Sequence, residues 1–140
     1  MSTTRAIEIA ITFVWIGMVV AISFLEAPLK FRAPNVTLQI GLGIGRLVFR
    51  ALNTVEAVFA VVMLVLLAGG GSGRIIAAYA VAAIALAAQL AAVRPKLSRR
   101  SDAVLAGAEG PRSHAHYYYV GLEAVKLVAL LVTGILLLSC

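Results

Sequence analysis

Four long apolar runs divide the chain, at about residues 7–25, 47–68, 75–93 and 117–138. At about 1.5 Å per helical residue, each can cross a hydrocarbon core roughly 30 Å thick. The pattern predicts an all-α protein, a four-helix transmembrane bundle built as one domain over residues 1–140. Inside each run the polar and aromatic positions recur at three-and-four spacing, the seam a helix turns toward its neighbours. The seams read Glu8, Thr12, Trp15, Val19, Ile22 and Glu26; Arg46, Phe49, Asn53, Glu56, Ala60 and Met63; Tyr79, Ala82, Leu86 and Gln89; and His116, Tyr119, Glu123, Lys126, Leu130 and Thr133.

The breaks between runs are expected at proline, glycine and basic residues. The first run closes at Glu26-Ala27-Pro28, and the third at Arg94-Pro95-Lys96. Gly41-Leu42-Gly43-Ile44-Gly45 has no preceding strand and no following Lys-Ser/Thr, so it reads as a flexible helix start and not as a phosphate loop. Gly69-Gly70-Gly71-Ser72-Gly73 is a tight turn. Ser101-Asp102 is placed to cap a short interfacial helix over Ala103–Ala108. Trp15, mid-run, reads as a packing residue, and Tyr117-Tyr118-Tyr119 as an interfacial aromatic belt.

Composition agrees with a membrane protein. Hydrophobic residues make up 62% and charged residues 13% of the chain, and mean hydropathy is +1.02. A net charge of +6 could point to nucleic acid, but the basic residues flank apolar runs and lack interleaved aromatics, so no nucleic-acid partner is expected. Lys30, Arg32, Arg99 and Arg100 are expected to meet anionic lipid headgroups instead. Basic residues crowd the first and third loops, which the positive-inside rule places in the cytoplasm with both termini outside. The first run is too long for a cleavable signal, and the Ala/Val/Leu/Arg-rich alphabet suggests a bacterial inner membrane. The lone Cys140 gives no disulfide framework, and His114 and His116 at i, i+2 do not share a helix face, so no metal or cofactor is expected.

A gapless shift lays the first helical hairpin on the second. Pro28 meets Pro95, Arg32 meets Arg99, Asn35 meets Asp102, and Glu56-Ala57-Val58 meets Glu123-Ala124-Val125. This predicts two parallel repeats about the membrane normal, with any binding site at their interface.

The candidate chemistry lies in the buried ionisable residues. Glu26, Asn53, Glu56, Gln89, Glu123 and Lys126 fall in the same half of the bilayer, and charges at membrane depth cost about 2.5–3.5 kcal/mol each on insertion scales. Glu123 and Lys126 are neighbours at i, i+3 on one helix face. Glu56 is expected to join them, with one carboxyl of the pair holding a proton near neutral pH. These six residues are expected to serve a proton, a cation or an amphipathic ligand in a small carrier, working as a homo-oligomer or small complex. The alternative is a non-catalytic accessory or scaffold protein whose charges fix helix packing. An enzyme is the least favoured class, for want of a nucleophile–base pair or cofactor motif.

Three stretches resemble a known group: Phe24-Leu25-Glu26-Ala27-Pro28-Leu29-Lys30-Phe31, Val93-Arg94-Pro95-Lys96 through Arg99-Arg100, and His116-Tyr117. In order and placement they resemble the transmembrane-protein-205-like family of small four-span membrane proteins, across most of the chain. The resemblance implies a four-helix membrane bundle. It carries over no functional residue, because Glu56, Glu123 and Lys126 are not part of that pattern.

Overall fold

Three helices begin on a hydroxyl. Ser2, Thr37 and Ser72 each accept a hydrogen bond from the backbone N–H three residues on, at 3.1, 3.1 and 3.3 Å, which satisfies one of the donors a helix start leaves unpaired. A computed structural model of the chain describes residues 2–105 and 114–139, without the side chains at positions 93, 94, 96, 98, 100, 101 and 114–116. Helix α1 is Thr3–Lys30 and α2 is Leu38–Ala68. Helix α3 joins Gly73–Ala88, Gln89–Val93 and Arg94–Leu105, and α4 is His114–Ser139. All four contain a segment long and apolar enough to cross a membrane. The chain is an all-α four-helix bundle, and length and composition make it a multi-pass membrane protein.

Helix α4 packs chiefly on α3 and α1. Helix α1 also packs on α2, and α2 meets α3 mainly along Arg94–Leu105, so the helices follow one another around the bundle in chain order. Of the seam positions, Glu8, Thr12, Trp15, Val19, Asn53, Glu56, Met63, Tyr79, Ala82, Leu86, Gln89, Tyr119, Glu123, Lys126, Leu130 and Thr133 are all buried. Valines, leucines and isoleucines such as Val61, Val65, Ile84 and Ile135 cover the outside, the reverse of a soluble bundle and the arrangement lipid favours.

The helices run longer than their prolines predict. Pro28 and Pro95 do not end α1 and α3. Each follows a π-helical stretch, Val20–Glu26 and Gln89–Val93, and the α-helix resumes as Ala27–Lys30 and Arg94–Leu105. In an α-helix a proline ring collides with the carbonyl four residues back. A widened turn relieves that collision, and here the Ala27 N–H reaches back to the Ile22 carbonyl. The expected cap at Ser101-Asp102 is likewise overturned: both residues lie inside Arg94–Leu105, and Asp102 pairs with Arg46 of α2 at 2.6 Å. Residues 106–108 of the expected interfacial helix lie outside the described residues.

The glycine run lies at the start of a helix, as expected. It lies within α2, and its missing side chains make room for the end of α1. A Cβ on Gly41 would strike the Phe31 ring, and one on Gly45 would come within 2.9 Å of Lys30 Nζ. Asn35 (φ 68°) then turns the chain between α1 and α2, a conformation asparagine tolerates better than most residues.

Candidate functional site

All four helices contribute to one polar cluster. Lys126 of α4 ion-pairs with Glu56 Oε2 of α2 and with Glu123 Oε1, one turn before it on α4. Its third partner is Gln89 Oε1 of α3, at 3.0 Å. An ammonium has three donors, so all three are used. Lys126 is 0% exposed, as is Glu56. Trp15 of α1 donates its indole N–H to Glu56 Oε2 at 2.7 Å, and Ser23 of α1 donates its hydroxyl to Glu123 Oε2 at 2.7 Å. Gln89 also donates to the Tyr119 carbonyl at 3.2 Å, and the Tyr119 hydroxyl donates to Asn53 Oδ1 at 3.2 Å.

The cluster sits deep. Glu56 precedes the end of α2 at Ala68 by three turns, about 18 Å along the axis. That is past the middle of a roughly 30 Å core measured from the glycine turn. On the turn side it is bounded by Trp15, Met63, Ile75, Tyr79 and Leu130, and on the other by Tyr119, packed edge-on against Phe49 at 5.9 Å.

The predicted site residues separate into three groups. Glu56, Glu123, Lys126 and Gln89 are in direct contact, and Asn53 joins them through Tyr119. Glu26 pairs instead with Lys30, at 3.7 Å. Of the basic residues, Lys30 is turned inward, with its ammonium over the rings of Phe31 and Phe49 at 5.5 and 5.9 Å. Arg32 and Arg99 are exposed, and the Arg100 side chain lies outside the described residues, as does that of His116.

Two residues act in ways the sequence did not suggest, and a third decides between two readings of it. Trp15 is a hydrogen-bond donor as well as a packing residue. Tyr119 is buried, not part of an interfacial belt, whereas Tyr117 and Tyr118 are exposed. Ser23 was not singled out. Its one signal was a hydroxyl in an otherwise apolar run, three residues before Glu26.

The charge of the cluster does not balance. Two carboxylates share one ammonium, and Glu56 Oε1 is buried without a hydrogen-bond donor. Among the described residues, no three His, Cys, Asp or Glu side chains converge to hold a metal ion. An open groove of about 450 Å³ between α3 and α4 is lined by Ala78, Val81, Ala124, Val125, Val128, Ala129 and Val132 and by none of the cluster residues. No family model, curated protein or solved structure matches the chain.

Proposed function

We propose that this multi-pass membrane protein binds and releases one proton at the Glu56–Lys126–Glu123 cluster, acting as a small carrier and not as an enzyme. The observation that carries the reading is the buried, donor-free Glu56 Oε1 beside two carboxylates that share a single ammonium. An uncompensated charge in a low-dielectric interior costs several kcal/mol, and one proton on the carboxyl pair removes it. A proton suits the cluster better than a larger ligand, because the cluster residues are buried and the groove between α3 and α4 is apolar and lined by other side chains.

The proposal includes an internal duplication, both termini outside and a bacterial inner membrane. The duplication draws support from two coincidences. Each π-helical stretch ends two residues before its proline, Pro28 or Pro95, and the shift that superposes those prolines also superposes Glu56 on Glu123. Repeat-related carboxylates meeting at one cation are what a pseudo-two-fold axis along the membrane normal produces. Kinship with the transmembrane-protein-205-like family belongs to the same proposal. So do an oligomeric state above monomer and contact of Arg32, Arg99 and Arg100 with anionic lipid. Lys30, held by Glu26 and two rings, contributes less to that contact.

The test is infrared titration of the full-length protein in lipid, with proton flux into dye-loaded liposomes measured alongside. A protonated-carboxyl band that titrates and disappears in Glu56→Gln or Glu123→Gln is the expected result. No such band over the whole pH range in which the protein stays folded overturns the proposal. A second reading, a non-catalytic accessory or scaffold protein, rests on the complete pairing of Lys126. It predicts a cluster that stabilises the bundle and never titrates.

A further inference from the structure

We propose that Glu26 exchanges protons between water at the Lys30 end of the bundle and the buried cluster, with Ser23 as the link. This rests on the proton reading above, and adds the side from which the proton arrives and the group that passes it.

Glu26 belongs to both environments. Its side chain is 35% exposed, yet its Oε2 is buried and has no hydrogen-bond partner. A single carboxyl group therefore touches solvent and the interior. Lys30 Nζ lies 3.7 Å from it, too far for a full hydrogen bond, and is itself 10% exposed against Phe31 and Phe49. The ammonium faces that inner oxygen without hydrogen-bonding it, and keeps the carboxylate in place. Ser23 lies three residues before Glu26 in the same widened stretch, Val20–Glu26, and already donates to Glu123 Oε2 at 2.7 Å. A hydroxyl can pass a proton by giving up its own to one neighbour while accepting one from another. On this proposal the proton passes from Glu26 to Ser23, three residues away on α1, and from Ser23 to Glu123 beside Lys126.

Among the described residues, the other end of the bundle offers no such series. Between Glu8 and the cluster the interior is Met63, Leu67, Ile75, Leu130 and Leu137. The hydroxyls there donate to backbone carbonyls and not to a titratable group: Thr12 to that of Glu8 at 2.8 Å, Thr133 to that of Ala129 at 2.7 Å, and Tyr79 to that of Ala60. Glu8 pairs with Arg5 at 3.7 Å and is buried. On this proposal, proton access is one-sided.

The experiment is a pH jump on the full chain in lipid, followed by the infrared band of the cluster carboxyl. Glu26→Gln should slow relaxation about a hundredfold, the lower end of what a positioned acid–base group contributes, while leaving the amplitude unchanged. A small weak acid such as azide or formate should restore the rate, which it would not do for a merely structural lesion. Ser23→Ala, which keeps the Glu26–Lys30 pair, should slow relaxation as well, and Glu8→Gln should not. An unchanged rate in Glu26→Gln, or equal slowing in Glu8→Gln, overturns the assignment while the proton reading stands. Absence of a titrating band in the unaltered protein overturns both.

Discussion

The indole N–H of Trp15 meets Glu56 Oε2 at 2.7 Å, so the oxygen that Lys126 grips carries a second donor while Oε1 carries none. One carboxylate is thereby held firmly on one side and left bare on the other. The asymmetry comes from helix geometry: α1 and α4 both present their seams to that oxygen, and no donor faces the other.

Removing Lys126 alone should harm the bundle more than removing it together with a glutamate. Breaking one partner of a buried pair costs about 3–5 kcal/mol because it strands the remaining charge. Thermal unfolding in detergent over Lys126→Leu, Glu56→Gln, Glu123→Gln and their pairs should therefore show the double variants recovering part of that loss. Additive effects in every pair would mean the three side chains are not coupled.

Trp15→Phe keeps an aromatic ring beside Phe59, 6.3 Å away between centroids, and deletes the donor. A hydrogen bond to a charged group is worth about 1.5–3 kcal/mol, and the loss should appear as a lower unfolding temperature. The same substitution made on top of Glu56→Gln should cost clearly less. Equal cost in both backgrounds counts against a role for the indole in holding the carboxylate.

The glycines of α2 should respond in opposite directions. Gly43 has open space around its Cβ direction, whereas Gly41 faces the Phe31 ring. Gly43→Ala should stabilise by up to about 1 kcal/mol through helix propensity. Gly41→Ala should cost about 1–3 kcal/mol by overpacking. Unfolding temperatures of the two variants check this directly, and the same sign for both refutes the close packing of Phe31.

Orientation is testable with reporter fusions at Gly71 and Ala108. The excess of Lys and Arg in the first and third loops predicts opposite sides, with Ala108 cytoplasmic. Both fusions on one side, or the reverse assignment, removes the basis for placing the termini outside.

The fold was legible because a buried seam at three-and-four spacing leaves its imprint wherever a helix stays α. Glu8-Thr12-Trp15-Val19 and Tyr79-Ala82-Leu86-Gln89 turned out buried throughout. The pattern misled where the helix widens. Counting α-turns from Val19 leads to Ile22. A π-turn holds more residues, so Ser23 comes round to meet Glu123 instead. The same widening hid the true ends of α1 and α3, because proline usually stops a helix and nothing in the local composition announces a π-turn. Tyr119 was a conflict between two rules, interfacial tyrosine and helical seam, and its hydrogen bond to Asn53 decides for the seam. For Gly41 and Gly45, poor helix propensity was outweighed by the room they give Phe31 and Lys30.

Both widened turns, Val20–Glu26 and Gln89–Val93, occupy the same end of the bundle. The half toward the glycine turn is continuous α-helix in all four members. In the other half a π-turn interrupts the regular backbone ladder of α1 and of α3. Trp15 belongs to the unbroken part of α1, and Ser23 to the widened part. Any change in the winding of that turn would move Ser23 relative to Glu123 before it moved Trp15 relative to Glu56. The two carboxylates, alike in sequence position and sharing one ammonium, are thus anchored to α1 differently: one through its regular helix, the other through its widened turn.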